Sequence, residues 1–165
     1  MNPITRFAMT ALLMMSTLAG CALPGAIAIN ATNADELQRR LGKPTETLAN
    51  PAGGEFWDYA YGPEGMETWR FGVDGGRVVR SKEQLLTFER LHMVNTGSAT
   101  QAQVRGLLGK PSQILQFAMG PVWEWRVNMH PTPGHFFVQF DQQGVATGKG
   151  AMTDFHADGD DKGNP

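Results

Sequence analysis

Apolar residues follow two periods along this chain, and the periods alternate in the same order twice. Leu37 and Leu41 stand four residues apart, as do Val104 and Leu108, which puts each pair on one helical face. Asn33 with Glu36, and Thr100 with Gln103, have the spacing of capping boxes ahead of those faces. Gly42 and Gly109 can take the left-handed conformation that ends a helix, and Pro44 and Pro111 block any continuation. Two short helices are therefore predicted, bounded in the same way at both ends.

Behind each helix the period changes to two. Trp57 and Tyr59 alternate with polar neighbours, as do Trp69, Phe71 and Val73; their echoes are Trp123 and Trp125, then Phe136, Val138 and Phe140. Turn residues follow each second run, Asp74-Gly75-Gly76 and Asp141-Gln142-Gln143-Gly144. At an offset of 67 residues Val78 meets Val145, Lys82 meets Lys149 and Phe88 meets Phe155. Caps, alternation and turns repeat together, so the spacing predicts an α+β chain of two tandem units, residues 31–86 and 87–158. Each is a helix followed by an antiparallel meander of three or four strands. Thr87 and the spacing of Phe88, Leu91 and His92 add a short helix over 88–94, so the second unit is entered by two helices. Residues 159–165, acidic and glycine-rich, read as a disordered tail.

Composition changes little in this picture: 165 residues, 41% hydrophobic and 18% charged, are ordinary for a globular chain. The N-terminus changes more. Arg6 precedes an apolar run too short to span a bilayer, so residues 1–20 read as a signal peptide. Cys21 is the one cysteine, which rules out an internal disulfide. Residues 21–30 read as a linker whose extended length, about 3.3 Å per residue, reaches on the order of 30 Å. The formal charge of −2 supplies no basic footprint for nucleic acid.

Leu18-Ala19-Gly20-Cys21 resembles the lipobox of bacterial lipoproteins, which implies a membrane anchor through acylated Cys21 and, with Ala22 following, the outer membrane. Several acyl chains would hold firmly, since one alone binds marginally. The run Thr100-x-x-Gln103-Val104, Leu107-Leu108-Gly109-x-Pro111, Trp123-x-Trp125 and Val138-x-Phe140-Asp141 resembles the SmpA/OmlA (BamE-like) family of outer-membrane lipoproteins. The doubling is similar to the β-lactamase inhibitor protein (BLIP) fold, in which two such units join into a curved sheet, and this resemblance implies helices packed on one face of the sheets. These resemblances imply a lipid-anchored, periplasm-facing accessory to envelope assembly that binds a periplasmic or outer-membrane protein. The alternative they imply is an inhibitor of a periplasmic hydrolase, inserting the tips at 61–65 and 130–134.

Candidate chemistry is sparse. No serine has a nucleophile-elbow context and no glycine-rich loop leads a strand into a helix, so neither an enzyme nor a cofactor is expected. His130 and His135 flank a proline-rich loop but lack further nearby ligands, and His156 with Asp154, Asp158, Asp160 and Asp161 lacks the spacing of a calcium loop. Alternation points Trp57, Trp69, Trp123 and Trp125 toward the helices. The opposite face then carries Asp58, Thr68, Val122, Glu124 and Gln139 together with Phe56, Arg70, Arg126, His135 and Phe137. The last five are the expected protein-binding residues, because aromatic and apolar groups on an open face call for a partner.

Overall fold

The Asn33 side chain accepts a hydrogen bond from the Glu36 backbone N–H at 2.8 Å, which starts α1 (Ala34–Leu41). Thr100 accepts from the Gln103 N–H while the Gln103 side chain returns to the Thr100 N–H, a complete capping box that starts α3 (Gln101–Leu108). The first box is incomplete: Glu36 turns away to pair with Arg39 instead. Between these helices lies α2 (Phe88–His92), capped by Thr87. A computed structural model describes residues 23–154; Cys21, the expected signal peptide (1–20) and the expected tail (159–165) lie outside the described residues.

After α1 the chain forms β1 (Glu46–Ala49), β2 (Glu55–Tyr61), β3 (Glu67–Val73) and β4 (Val79–Gln84). After α3 it forms β5 (Gln113–Phe117), β6 (Gly120–Asn128), β7 (Pro133–Phe140) and β8 (Ala146–Thr153). The strands pair in chain order into two four-stranded antiparallel sheets. Opposite residues include Asp58 with Arg70, Trp57 with Phe71, Trp125 with Phe136 and Arg126 with His135, so the expected alternation of faces holds in both sheets. Each sheet also has one register shift near the end of its third strand, at Gly72/Val73 and at Gln139/Phe140.

One face of each sheet is a core. Ala34 and Leu37 of α1 pack with Trp57, Tyr59, Phe71, Val73 and Val79. Val104 and Leu108 of α3, with Leu91 of α2, pack on Trp123, Trp125, Phe136, Val138 and Phe140. A fully buried side chain of this size contributes about 1.5–3 kcal/mol, so these clusters dominate the stability of both halves. Trp57, Trp123 and Trp125 are buried as expected, whereas Trp69 stays half-buried at the rim, its indole N–H donating to Glu67 at 2.7 Å.

Two expectations are corrected. Residues 23–30 of the expected linker 21–30 are packed on the first sheet: Ile27 is fully buried, the Asn30 N–H donates to the Val79 carbonyl at 2.7 Å, and the Val79 N–H returns to the Thr32 carbonyl, just past the linker, at 2.9 Å. The segment gave no helical or strand period, so its burial could not be read from alternation. Its counterpart in the second half makes the same bonds, Gly97 N–H to the Ala146 carbonyl at 2.6 Å and Ala146 N–H to the Ala99 carbonyl at 2.8 Å. Lys82 and Lys149 also match: one ammonium donates to the Ile27 carbonyl at 2.8 Å, the other to that of Val94 at 2.7 Å.

The second correction concerns the helices, which do not all lie on one face. The buried face of α3 serves the second sheet, but its C-terminal end lies on the opposite side of the first sheet. Arg70 on β3 donates to the Gly106 carbonyl at 2.6 Å. Arg90 of α2 donates to the Leu107 carbonyl at 2.9 Å and the Trp125 indole to that of Gly109 at 3.2 Å. Carbonyls at a helix C-terminus lack intrahelical partners and attract cations, so three side chains from three elements converge there. The Glu46 carboxylate of β1 adds an ion pair with Arg105 at 2.5 Å.

Candidate functional site

The faces of the two sheets that point away from their cores carry the five expected binding residues, and the structure divides them. Asp58 and Arg70 stand opposite each other on β2 and β3, so their side chains meet across the ladder. Arg70 Nε and Nη2 donate to the two Asp58 oxygens at 2.7 Å each, a bidentate pair. Both residues are buried, at 5% and 1% exposure, with α3 above them. The half-buried Phe56 ring lies 5.2 Å below the guanidinium carbon. Burial works against the Arg70 charge, but the Asp58 hydrogen bonds and charge, with Glu83 and Glu46 further off, more than offset it and raise its pKa. Arg70 is thus internal, joining β3 to the end of α3, and is corrected here as a contact for another protein; Phe56 stays half-buried against its guanidinium.

On the second sheet the equivalent face is not covered by a helix. Arg126 and His135 stand opposite each other on β6 and β7 and touch side by side. Arg126 grips Asp154, just past β8, through Nη1 at 3.0 Å and Nη2 at 2.7 Å. Its Nε lies 2.8 Å from Glu64, which comes from the turn between β2 and β3; the angle is too poor for a hydrogen bond, so this is a charge contact. His135 Nδ1 meets the Glu124 carboxylate at 2.5 Å and Nε2 lies 3.2 Å from Asp154. The Arg126 hydrogen bonds and charge, helped by His135, hold the Asp154 carboxyl below its usual range, and the Asp154 bonds push the Arg126 guanidinium up.

Phe137 lies beside this network, 37% exposed, with its ring over Gly150 on β8; a Cβ there would come within 2.6 Å of the ring. Toward the sheet edge the apolar surface continues through Val122, Phe117 and Met119, which with Gln139 line a shallow groove of about 480 Å³. Phe117 and Met119 are 58% and 71% exposed. A second cleft, of about 330 Å³, runs between the two halves, with Thr68, Ser112, Lys110, Glu64 and Arg126 on its walls.

Of the sequence expectations, Arg126, His135 and Phe137 are brought together and Arg70 and Phe56 are set apart from them. Glu64 and Asp154 join the cluster without a sequence signal. Glu64 sits in a turn expected as an inserting tip, and Asp154 stands past the last alternating residues, where nothing in the pattern shows how far β8 runs. Among the described residues no group of three or more His, Cys, Asp or Glu could hold a metal ion, and no helix is long and apolar enough to cross a membrane.

No family model matches the chain. No curated protein matches it either. Among solved structures, the crystal structure of a DUF4309 family protein (YjgB) from Bacillus subtilis is similar at 15% identity, over 78% of this chain and 83% of that one, with a TM-score of 0.31. A likeness that loose carries no argument about fold or function.

Proposed function

We propose that this protein is a lipid-anchored, periplasm-facing outer-membrane lipoprotein that binds a protein partner as an accessory in envelope assembly or maintenance. In this reading residues 31–86 and 87–158 are two tandem BamE-like units joined as in the BLIP fold, and Cys21 carries the acyl anchor. The lipobox-like Leu18-Ala19-Gly20-Cys21 supports the anchor. One observation carries the binding role: Phe137, Val122, Phe117 and Met119 form a partly exposed apolar strip beside the Arg126–His135–Asp154 network. A protein interface has this composition, apolar at its centre with hydrogen-bonded polar groups at its rim.

The inhibitor reading is less well supported. It needs free tips, and Glu64 in the 61–65 tip is tied back to Arg126. Crosslinking in intact cells tests the binding role. With Phe137→Ala and Met119→Ala combined, at equal protein abundance, the crosslinked partners of the wild type should be lost; an unchanged set would refute the use of this face.

A further inference from the structure

Four sheet edges expose backbone donors and acceptors, and three are protected. The β1 edge is four residues long and includes Glu46, which Arg105 holds. The β4 edge carries Arg80, Lys82 and Glu83, and Val79 at its start is bonded to residues 30–32. The β8 edge carries Lys149, and Ala146 at its start is bonded to Gly97 and Ala99. Charge, shortness and covering chain are the ordinary means of keeping an edge from pairing with another strand.

The β5 edge has none of them. Gln113-Ile114-Leu115-Gln116-Phe117 contains no charge and no proline, and it is mostly exposed. It is the outermost strand of its sheet, and no backbone hydrogen bond ties its outer side to another segment among the described residues. Ile114 is 44% exposed, and Phe117 and Met119 more so.

We infer that two copies of this chain pair antiparallel along β5, joining their second sheets into one eight-stranded sheet. A two-fold axis at Leu115 is the register that pairs all five residues. It sets Leu115 against its own copy, Gln113 against Phe117 and Ile114 against Gln116. No like charges meet in that register, whereas an isologous contact forces every charge near the axis to face itself. Opposite β6, Leu115 pairs with Val122 and Phe117 with Gly120, so both point to the helix-free face. The two apolar strips therefore meet side by side across the axis and form one continuous open face, with Leu115 packed against its own copy. This inference does not depend on the partner proposed above.

Full chains bearing two different epitope tags, co-expressed and solubilised in detergent, test it by co-capture. Wild type should capture wild type. Leu115→Lys with itself and Leu115→Glu with itself should each lose about tenfold or more, because like charges then sit directly opposite. Leu115→Lys co-expressed with Leu115→Glu should recover capture, which distinguishes lost pairing from lost folding. Absent wild-type capture, retained capture by either charged variant alone, or failure of the mixed pair to recover would each overturn the inference.

Discussion

The face of β2 and β3 that points away from their core and the matching face of β6 and β7 start from the same alternation and end in opposite states. On the first, Asp58, Thr68 and Arg70 are all nearly excluded from water because the end of α3 lies on them. On the second, Glu124, Arg126 and His135 remain half-exposed and Phe137 is exposed. The difference comes from chain order. The first sheet has a following unit whose helix terminus needs donors, and Arg70 supplies one; the second sheet is followed by no such helix among the described residues. Similar strands thus yield a joint in one place and an open surface in the other.

Removing a charge should break that comparison most strongly at the joint. Arg70→Ala leaves Asp58 charged and buried without its partner, which costs about 3–5 kcal/mol. Arg126→Ala should cost clearly less, because its partners Asp154 and Glu64 stay accessible to water at 28% and 68% side-chain exposure. Urea unfolding of both variants checks this, and equal losses would mean that the first face is no more enclosed than the second.

The helix-ending glycines sharpen it next. Gly42 and Gly109 have φ of +83° and +76°, a conformation that costs other residues about 1–3 kcal/mol. A Cβ on Gly42 would meet nothing within 4 Å, whereas one on Gly109 would press on Thr68 at 3.0 Å and Leu85 at 3.2 Å. Gly109→Ala should therefore lose about 1 kcal/mol more than Gly42→Ala in the same unfolding measurement, the excess being the packing between the halves.

The smallest effect concerns the two cores. Tyr59 and Trp125 hold matching places, yet the Trp125 indole has the Gly109 carbonyl and the buried Tyr59 hydroxyl has no partner among the described residues. Tyr59→Phe should raise stability by about 1 kcal/mol, because an unpaired buried hydroxyl is removed. Burial pushes the Tyr59 hydroxyl from 10.0 up to about 12. Its folded-state pKa is raised, so its contribution is intact below pH 10 and is lost as the pH rises toward 12. Stability curves over that range should fall more steeply for the wild type than for Tyr59→Phe.

How much of this was legible differs from residue to residue. Asn33, Thr100, Gly42 and Gly109 announced the helix ends because caps act within four residues of chain. Asp58 and Arg70 were placed on the correct face because alternation is a property of the strand itself. Their burial was not legible, since it depends on α3 arriving from 36 residues away in sequence to accept from Arg70. Ile27 was missed for a related reason: Leu23, Ile27 and Ile29 stand in one short segment, and which of them is buried is decided only when β4 bonds Asn30 and Thr32.

By itself the sequence determined the local elements, their repetition and the two faces of each strand, because capping, turn geometry and side-chain period are short-range. The tertiary structure decided which of the faces pointing away from the cores is enclosed, that Glu64 and Asp154 close around Arg126, and that β5 alone among the edges lacks charge and cover. Those outcomes depend on distant segments meeting, and the competition between burying a charge and hydrating it is settled only where they meet.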